Sequence, residues 1–235
     1  MSEEFDFERY WLDKFSSCLE HFAGETIRDQ VMHGSQGLSM ESDRQEVVTW
    51  SCLAMQRLDE LTDDQQRHDI MTGCACQYPK EDLVEVRQVY QRNGLQAAHQ
   101  LLQERFERFL GDTLRLEPSM IEEVVRRGWG LAGELQGNKI IATKIPKSGH
   151  LIDYLNESDP DKQRAYYCHC PRVREAIRWS HEYSPALSST YCYCGAGYYR
   201  GIWERILEQR VEVEVLESVR QGDQVCKIAI YLPVE

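Results

Sequence analysis

Residues 211–231 read VEVEVLESVRQGDQVCKIAIY, and their phase decides the fold. Val211, Val213 and Val215 alternate with Glu212 and Glu214, while Cys226, Ile228 and Ile230 alternate with Lys227, Ala229 and Tyr231. Side chains alternate faces with period two along extended chain, so these are two half-buried strands. Gln221-Gly222-Asp223 between them supplies turn chemistry and predicts an antiparallel hairpin, with Cys226 pointing inward beside Ile228 and Ile230. Just upstream, Trp203, Ile206 and Leu207 share one face of GIWERIL, so residues 197–208 read as a helix.

Further outward, residues 135–145 hold a second hairpin pattern, with Gln136-Gly137-Asn138 as the turn before Ile140, Ile141 and Thr143. The first half reads helical. Residues 9–22, 44–60 and 81–109 carry apolar residues at three and four spacing, Gly94 divides the last of these, and residues 64–68 look like a polar link. A short helix is expected over 119–127, with Ser119 as N-cap and Glu122 completing a capping box. Pro160 marks a loop or a helix start. The expected class is α+β: a helical N-terminal region, 1–115, packed on a C-terminal α/β domain, 116–235, whose antiparallel sheet ends in a β-hairpin.

Cysteine use is not scattered. Of nine cysteines, six form three Cys-x-Cys pairs: Cys74 and Cys76, Cys168 and Cys170, Cys192 and Cys194. In extended chain such a pair presents both sulfurs on one side. A chain of 235 residues is long enough to bury a core without disulfide staples, so the thiols have another task. Residues 1–15 contain no basic segment followed by an apolar one, and no run approaches the ~20 apolar residues of a membrane span. The expected location is therefore the cytosol, where paired thiols more often bind metal or do redox chemistry than form structural disulfides. Thiolates favour Zn, Cu(I) or an iron-sulfur cluster over Mg or Ca.

Zinc is the leading candidate cofactor, with Cys168, Cys170, Cys192, Cys194 and inward-facing Cys226 as the favoured ligands and Cys74 and Cys76 completing them from the helical half. The absence of a Cys-x2-Cys knuckle leaves reactive or redox thiols, and inert packing, open beside metal binding. Cys194 precedes Gly195 and Gly197 at a helix start, where unpaired N–H groups lower a thiol's pKa and would activate it as a nucleophile. Tyr166, Tyr167, Tyr191, Tyr193, Tyr198 and Tyr199 crowd the last two pairs, as a pocket wall or as core. Lys144 and Lys147 could take a carboxylate or phosphate, or simply be solvated. His99, His150 and His181 have no partner that sequence identifies.

A net charge of −12 argues against nucleic acid, because phosphate binding depends on Lys and Arg. The basic stretch 171–178, PRVREAIR, reads as a solvated helix face with Arg172 and Glu175 at i, i+3. Gly-x-Ser-x-Gly, phosphate-loop and dinucleotide fingerprints are all missing. The expected partners are a small-molecule ligand or substrate and, for assembly, a second copy of the chain as a homodimer, with no membrane.

From Cys192, the run CYCGAGYYRGIWERIL, then VEVEVLESV, then RQGDQVCKIAI, resembles the 4-vinyl reductase type of small-molecule-binding domain. The resemblance implies a zinc held by a cysteine before the helix, a Glu and a Cys on the next strand, and a hairpin cysteine. Cys192 and Cys226 match the first and last, whereas Val215 and Ser218 stand at the middle two, leaving Cys194, Cys168 and Cys170 to replace them. GDQVCKIAI also looks like the ending of hydrolases related to L-2-amino-thiazoline-4-carboxylate hydrolase, which open a sulfur heterocycle. GCACQYP, GWGLAG, ATKIPKSG, YCHCPRVREA and YCYCGAG together look like a bacterial family of unassigned function. The function expected is a zinc-binding small-molecule-binding protein. The alternative is a hydrolase or thiol-dependent enzyme acting on a small, sulfur-containing substrate, and whether the protein is an enzyme is open at this point.

Overall fold

The computed structural model of the chain describes residues 5–179 and 186–233, so His181 lies outside the described residues. The helical half contains α1 (Phe7–Ala23), α2 (Glu25–Met32), α3 (Arg44–Leu61), α4 (Asp64–Gly73) and α5 (Val84–Arg108). Aspartates start three of them. Asp6 accepts from the Arg9 N–H, Asp43 accepts from the Gln45 and Glu46 N–H groups, and Asp63 forms a capping box with Gln66. That box is why residues 64–68 open a helix instead of forming a polar link. In α1, Trp11, Leu12, Phe15 and Leu19 recur at three and four spacing and are all buried. Gly94 (φ 82°) kinks α5 at the expected place.

After α6 (Pro118–Arg126), β1 (Glu134–Gln136) and β2 (Lys139–Thr143) form the first hairpin, with Gly137 at φ 61° in its turn. Ser119 does not cap α6. Pro118 occupies the first turn and Glu117 the N-cap position without a side-chain bond, because proline's fixed φ already suits a helix start. Next come α7 (Leu151–Asn156), α8 (Pro160–Tyr167), α9 (Pro171–Arg178), α10 (Tyr193–Leu207), β3 (Glu212–Glu217) and β4 (Lys227–Tyr231). The four strands run antiparallel in the order β1-β2-β4-β3, with Ile140 and Val213 both opposite Ile230. The fold is α+β.

β4 is an interior strand, so Ala229 is buried along with Ile228 and Ile230, and simple alternation misses it. Ile202, Trp203 and Ile206 of α10 pack on this sheet together with Val86 and Leu102 of α5. A second core joins α1, α3 and α4 to Val124, Trp129, Tyr154, Tyr167, Val173 and Tyr191. Both cores therefore draw side chains from each side of Leu114. Arg172 is not on a solvated face: it is buried, and its Nη2 pairs with Glu8, 164 residues away, while Glu175 pairs with Arg178. An i, i+3 spacing offers a partner only when both side chains face solvent, and α9 turns Arg172 inward toward α1. No helix among the described residues is long and apolar enough to cross a membrane.

Candidate thiol site

All three cysteine pairs lie at helix ends, not on strands. Cys74 is the C-cap of α4 and Cys76 lies in the following loop. Cys168 caps the end of α8 and Cys170 caps the start of α9, two residues later. Cys192 is the N-cap of α10, and Cys194 sits in its first turn. Residues two apart on helical backbone project about 200° from each other, so Cys192 and Cys194 diverge at the start of α10, whereas Cys168 and Cys170 keep extended backbone between two helices. Cys194 turns toward Cys74, while Cys192 Sγ lies 3.0 Å from Ser218 Oγ. Cys170 Sγ reaches the Tyr191 hydroxyl at 3.5 Å. Cys226 precedes β4, is half-buried and packs with the core around α1, so it shares neither strand nor core with Ile228 and Ile230.

The meeting of Cys74 and Cys194 depends on Gly197. A Cβ there would lie 2.3 Å from the Thr72 carbonyl oxygen and 2.8 Å from the Ala75 side chain. Only a bare backbone lets the first turn of α10 settle against the end of α4. Arg200 of α10 reinforces the contact by donating to Thr72 Oγ1 at 3.0 Å. Lys14 Nζ donates to the Ala75 carbonyl and ties α1 to the same loop.

Cys194 is the one thiol held as an anion. Its sulfur accepts hydrogen bonds from the Cys74 thiol, the Cys76 backbone N–H and the Trp11 indole, and the Lys144 ammonium is close. The Cys74 hydrogen bond contributes most, and together these pull the pKa from the ordinary thiol range to about 6 despite burial. Cys74 moves the opposite way, since it faces Cys194 and is fully buried, and its sulfur also lies 3.3 Å from the Met71 carbonyl. Burial also pushes Cys168 well up and Cys192 to about 12. His169 Nε2 bonds the Ile145 carbonyl at 2.8 Å, and burial with Lys144 nearby lowers its pKa to about 3, leaving the ring neutral.

Lys144 is the cation common to Cys76, Cys168, Cys192, Cys194 and Cys226. The cysteines thus share one neighbourhood without sharing one point. A zinc centre needs thiolate or imidazole donors about 2.0–2.3 Å from a single ion. Among the described residues no group of three His, Cys, Asp or Glu side chains could hold a metal ion, so this arrangement does not fit zinc. Tyr167, Tyr191 and Tyr199 are core residues with engaged hydroxyls, bonded to the Lys144 carbonyl, to Arg172 and Cys170, and to the Gly130 carbonyl respectively. Two open depressions of about 500 and 490 Å³ lie over α2 and α3 and have no cysteine in their walls.

Trp11 was not expected at the site, Lys144 was read only as an anion binder or a solvated lysine, and Gly197 only as part of a helix start. The glycines after Cys194 were the only readable sign of a close approach; nothing local marks Trp11, 183 positions before the sulfur it serves.

Residues 161–234 match a family described as "Family of unknown function (DUF6144)". No curated protein and no solved structure matches the chain. The match agrees with a family of unassigned function over the C-terminal third. Nothing found supports the resemblances to 4-vinyl reductase domains or to the thiazoline hydrolases.

Proposed function

We propose that the protein is a thiol-dependent enzyme acting on a small molecule, with the Cys194 thiolate as nucleophile. The observation that carries this reading is the set of three donors, Cys74 S–H, Cys76 N–H and Trp11 indole N–H, converging on the sulfur of one partly buried cysteine. A sulfur so stabilised is ionised at neutral pH without a separate base. In the first step the Cys194 sulfur bonds to an electrophilic carbon or sulfur of the substrate. The bond to the leaving group breaks with its electron pair, and the Cys74 thiol supplies the proton that the leaving group takes up. A hydrolase would release the bound fragment to water, and a transferase to another acceptor. Iodoacetamide alkylation followed residue by residue tests the reading: the rate at Cys194 should rise through a midpoint at about 6. An ordinary midpoint near ~8.5 would remove the nucleophile.

Zinc beside a small-molecule site is the second reading. Its support is that thiols from four separate segments gather around Lys144, and it requires the sulfurs to regroup around the ion. Metal analysis of protein purified without added metal decides it: below about half an equivalent, with the thiols titrating freely, this reading fails.

A further inference from the structure

The chain is strongly acidic, yet the segment beside the thiols concentrates positive charge. Residues 144–147 follow β2 and are stitched to the turn between α8 and α9. The Lys144 carbonyl accepts from the Tyr167 hydroxyl, Lys147 N–H donates to the Tyr167 carbonyl at 3.1 Å, and His169 Nε2 bonds the Ile145 carbonyl at 2.8 Å. These bonds set Lys144 and Lys147 against the start of α9, which carries Arg174. The three cations are near enough that each disfavours protonation of His169, and Arg174 disfavours the charge on Lys147.

Among the described residues neither lysine makes an ion pair, and Arg174 has only Glu175 at 3.9 Å, which Arg178 engages more closely at 3.2 Å. Arg174 Nη1 is buried with no hydrogen-bond partner. Lys144 has the Cys194 thiolate beside it, but Lys147 and Arg174 gather like charge in a partly buried site with little to offset it, and a bound anion is what relieves that cost. Lys144 Nζ lies 4.0 Å from the position a Cβ on Gly195 would take, so the positive strip reaches the helix turn that holds Cys194.

We propose that the ligand of this site is a small molecule bearing an oxyanion, carboxylate or phosphate, whose charged group is held by Lys147 and Arg174 with Lys144 between it and Cys194. The proposal rests on the thiolate reading for the reaction, but the anion site itself stands on the uncompensated cations.

Two arms separate the claims. In the first, Cys194 is alkylated by anionic iodoacetate and by neutral iodoacetamide, and the ratio of the two rates is compared with that of a free small thiol. The ratio should exceed the free-thiol value by about tenfold, and Lys147→Gln and Arg174→Gln should each return most of that gain. Neither residue is among the groups that set the Cys194 pKa, so the neutral reagent reports the thiol and the ratio reports the anion site. Arg174→Lys keeps the charge and should keep the ratio. In the second arm, inorganic phosphate and acetate are titrated separately by calorimetry into the wild-type chain and into Cys194→Ser. Saturable binding in both proteins, lost in Lys147→Gln, supports the site, and the tighter anion identifies the group it takes. A wild-type ratio equal to that of the free thiol, or no saturable binding of either anion, overturns the proposal. Slow iodoacetamide reaction at neutral pH with intact anion binding overturns only the nucleophile.

Discussion

Trp11 stands between two clasps that join the helical half to the C-terminal half, and they are built on opposite principles. On its ring face the Arg172 guanidinium lies 4.2 Å from the centroid and pairs with Glu8, both side chains being 2 % exposed. On its edge the indole N–H donates to Cys194, which is only half-buried and whose partner Cys74 is a neutral thiol. The first clasp neutralises a charge with a charge: Arg44 also reaches Glu8 at 2.5 Å, and Tyr191 accepts from Arg172 at 3.4 Å. The second gathers three neutral donors, with the Lys144 ammonium nearby, around an anion on a residue that is only partly buried. Charge compensated inside a core produces rigidity, whereas charge stabilised by dipoles at a partly open edge produces reactivity.

The sharpest way to break this contrast is Glu8→Ala. It strands a buried guanidinium and should lower unfolding free energy by about 3–5 kcal/mol, read by chemical denaturation. Cys194→Ser should cost far less while abolishing rapid alkylation. A Glu8→Ala loss below about 1 kcal/mol, typical of surface pairs, would mean that the ion pair is no clasp.

Acid should weaken the thiol side next. The unfolded chain protonates His169 near its ordinary value of ~6.5, whereas the folded chain resists down to about 3. The folded state therefore binds fewer protons, and its stability should fall by about 1.4 kcal/mol per pH unit across that window. His169→Asn should flatten this acid limb; an unchanged slope would mean that His169 is not the neutral buried group described.

Gly197→Ala pushes a methyl against Thr72 backbone. We expect a loss of about 1–3 kcal/mol together with a Cys194 alkylation midpoint displaced upward, because the Cys74 donor is carried away with α4. Full retention of the low midpoint would show that the close approach does not hold the thiol pair.

Trp11→Phe keeps a ring beneath Arg172 and removes one donor. The Cys194 midpoint should rise by roughly one unit, the value of one lost hydrogen bond to an anion, with little change in stability. This is the smallest effect and the most discriminating, since one residue serves both clasps through different atoms.

Much of the fold is legible from particular residues. The valine and glutamate alternation at 211–215 and the Gln136-Gly137-Asn138 turn correspond to observed antiparallel pairs, and the paired apolar spacings in α1, α3 and α5 correspond to buried faces. Misreadings fall where a tertiary partner overrides a local pattern. Arg172 and Glu175 looked like neighbours until α1 offered Glu8, and Ala229 looked outward because interior burial of β4 has no period. The cysteine pairs were assigned extended geometry, which Cys168 and Cys170 keep between two helices, whereas Cys192 and Cys194 fall in a helical turn and diverge.

Local chemistry written along the chain settled the class of fold and the two hairpins, because hydrogen-bond periodicity and turn preference act over a few residues. Which thiol becomes the anion was settled elsewhere. Cys194 differs from Cys192 and Cys170 through Cys74, the Cys76 N–H and Trp11, groups brought to it from distant segments. The ionisation of a thiol follows the dipoles and charges around it in space, and those neighbours exist only once α10 has closed on α4 over Gly197.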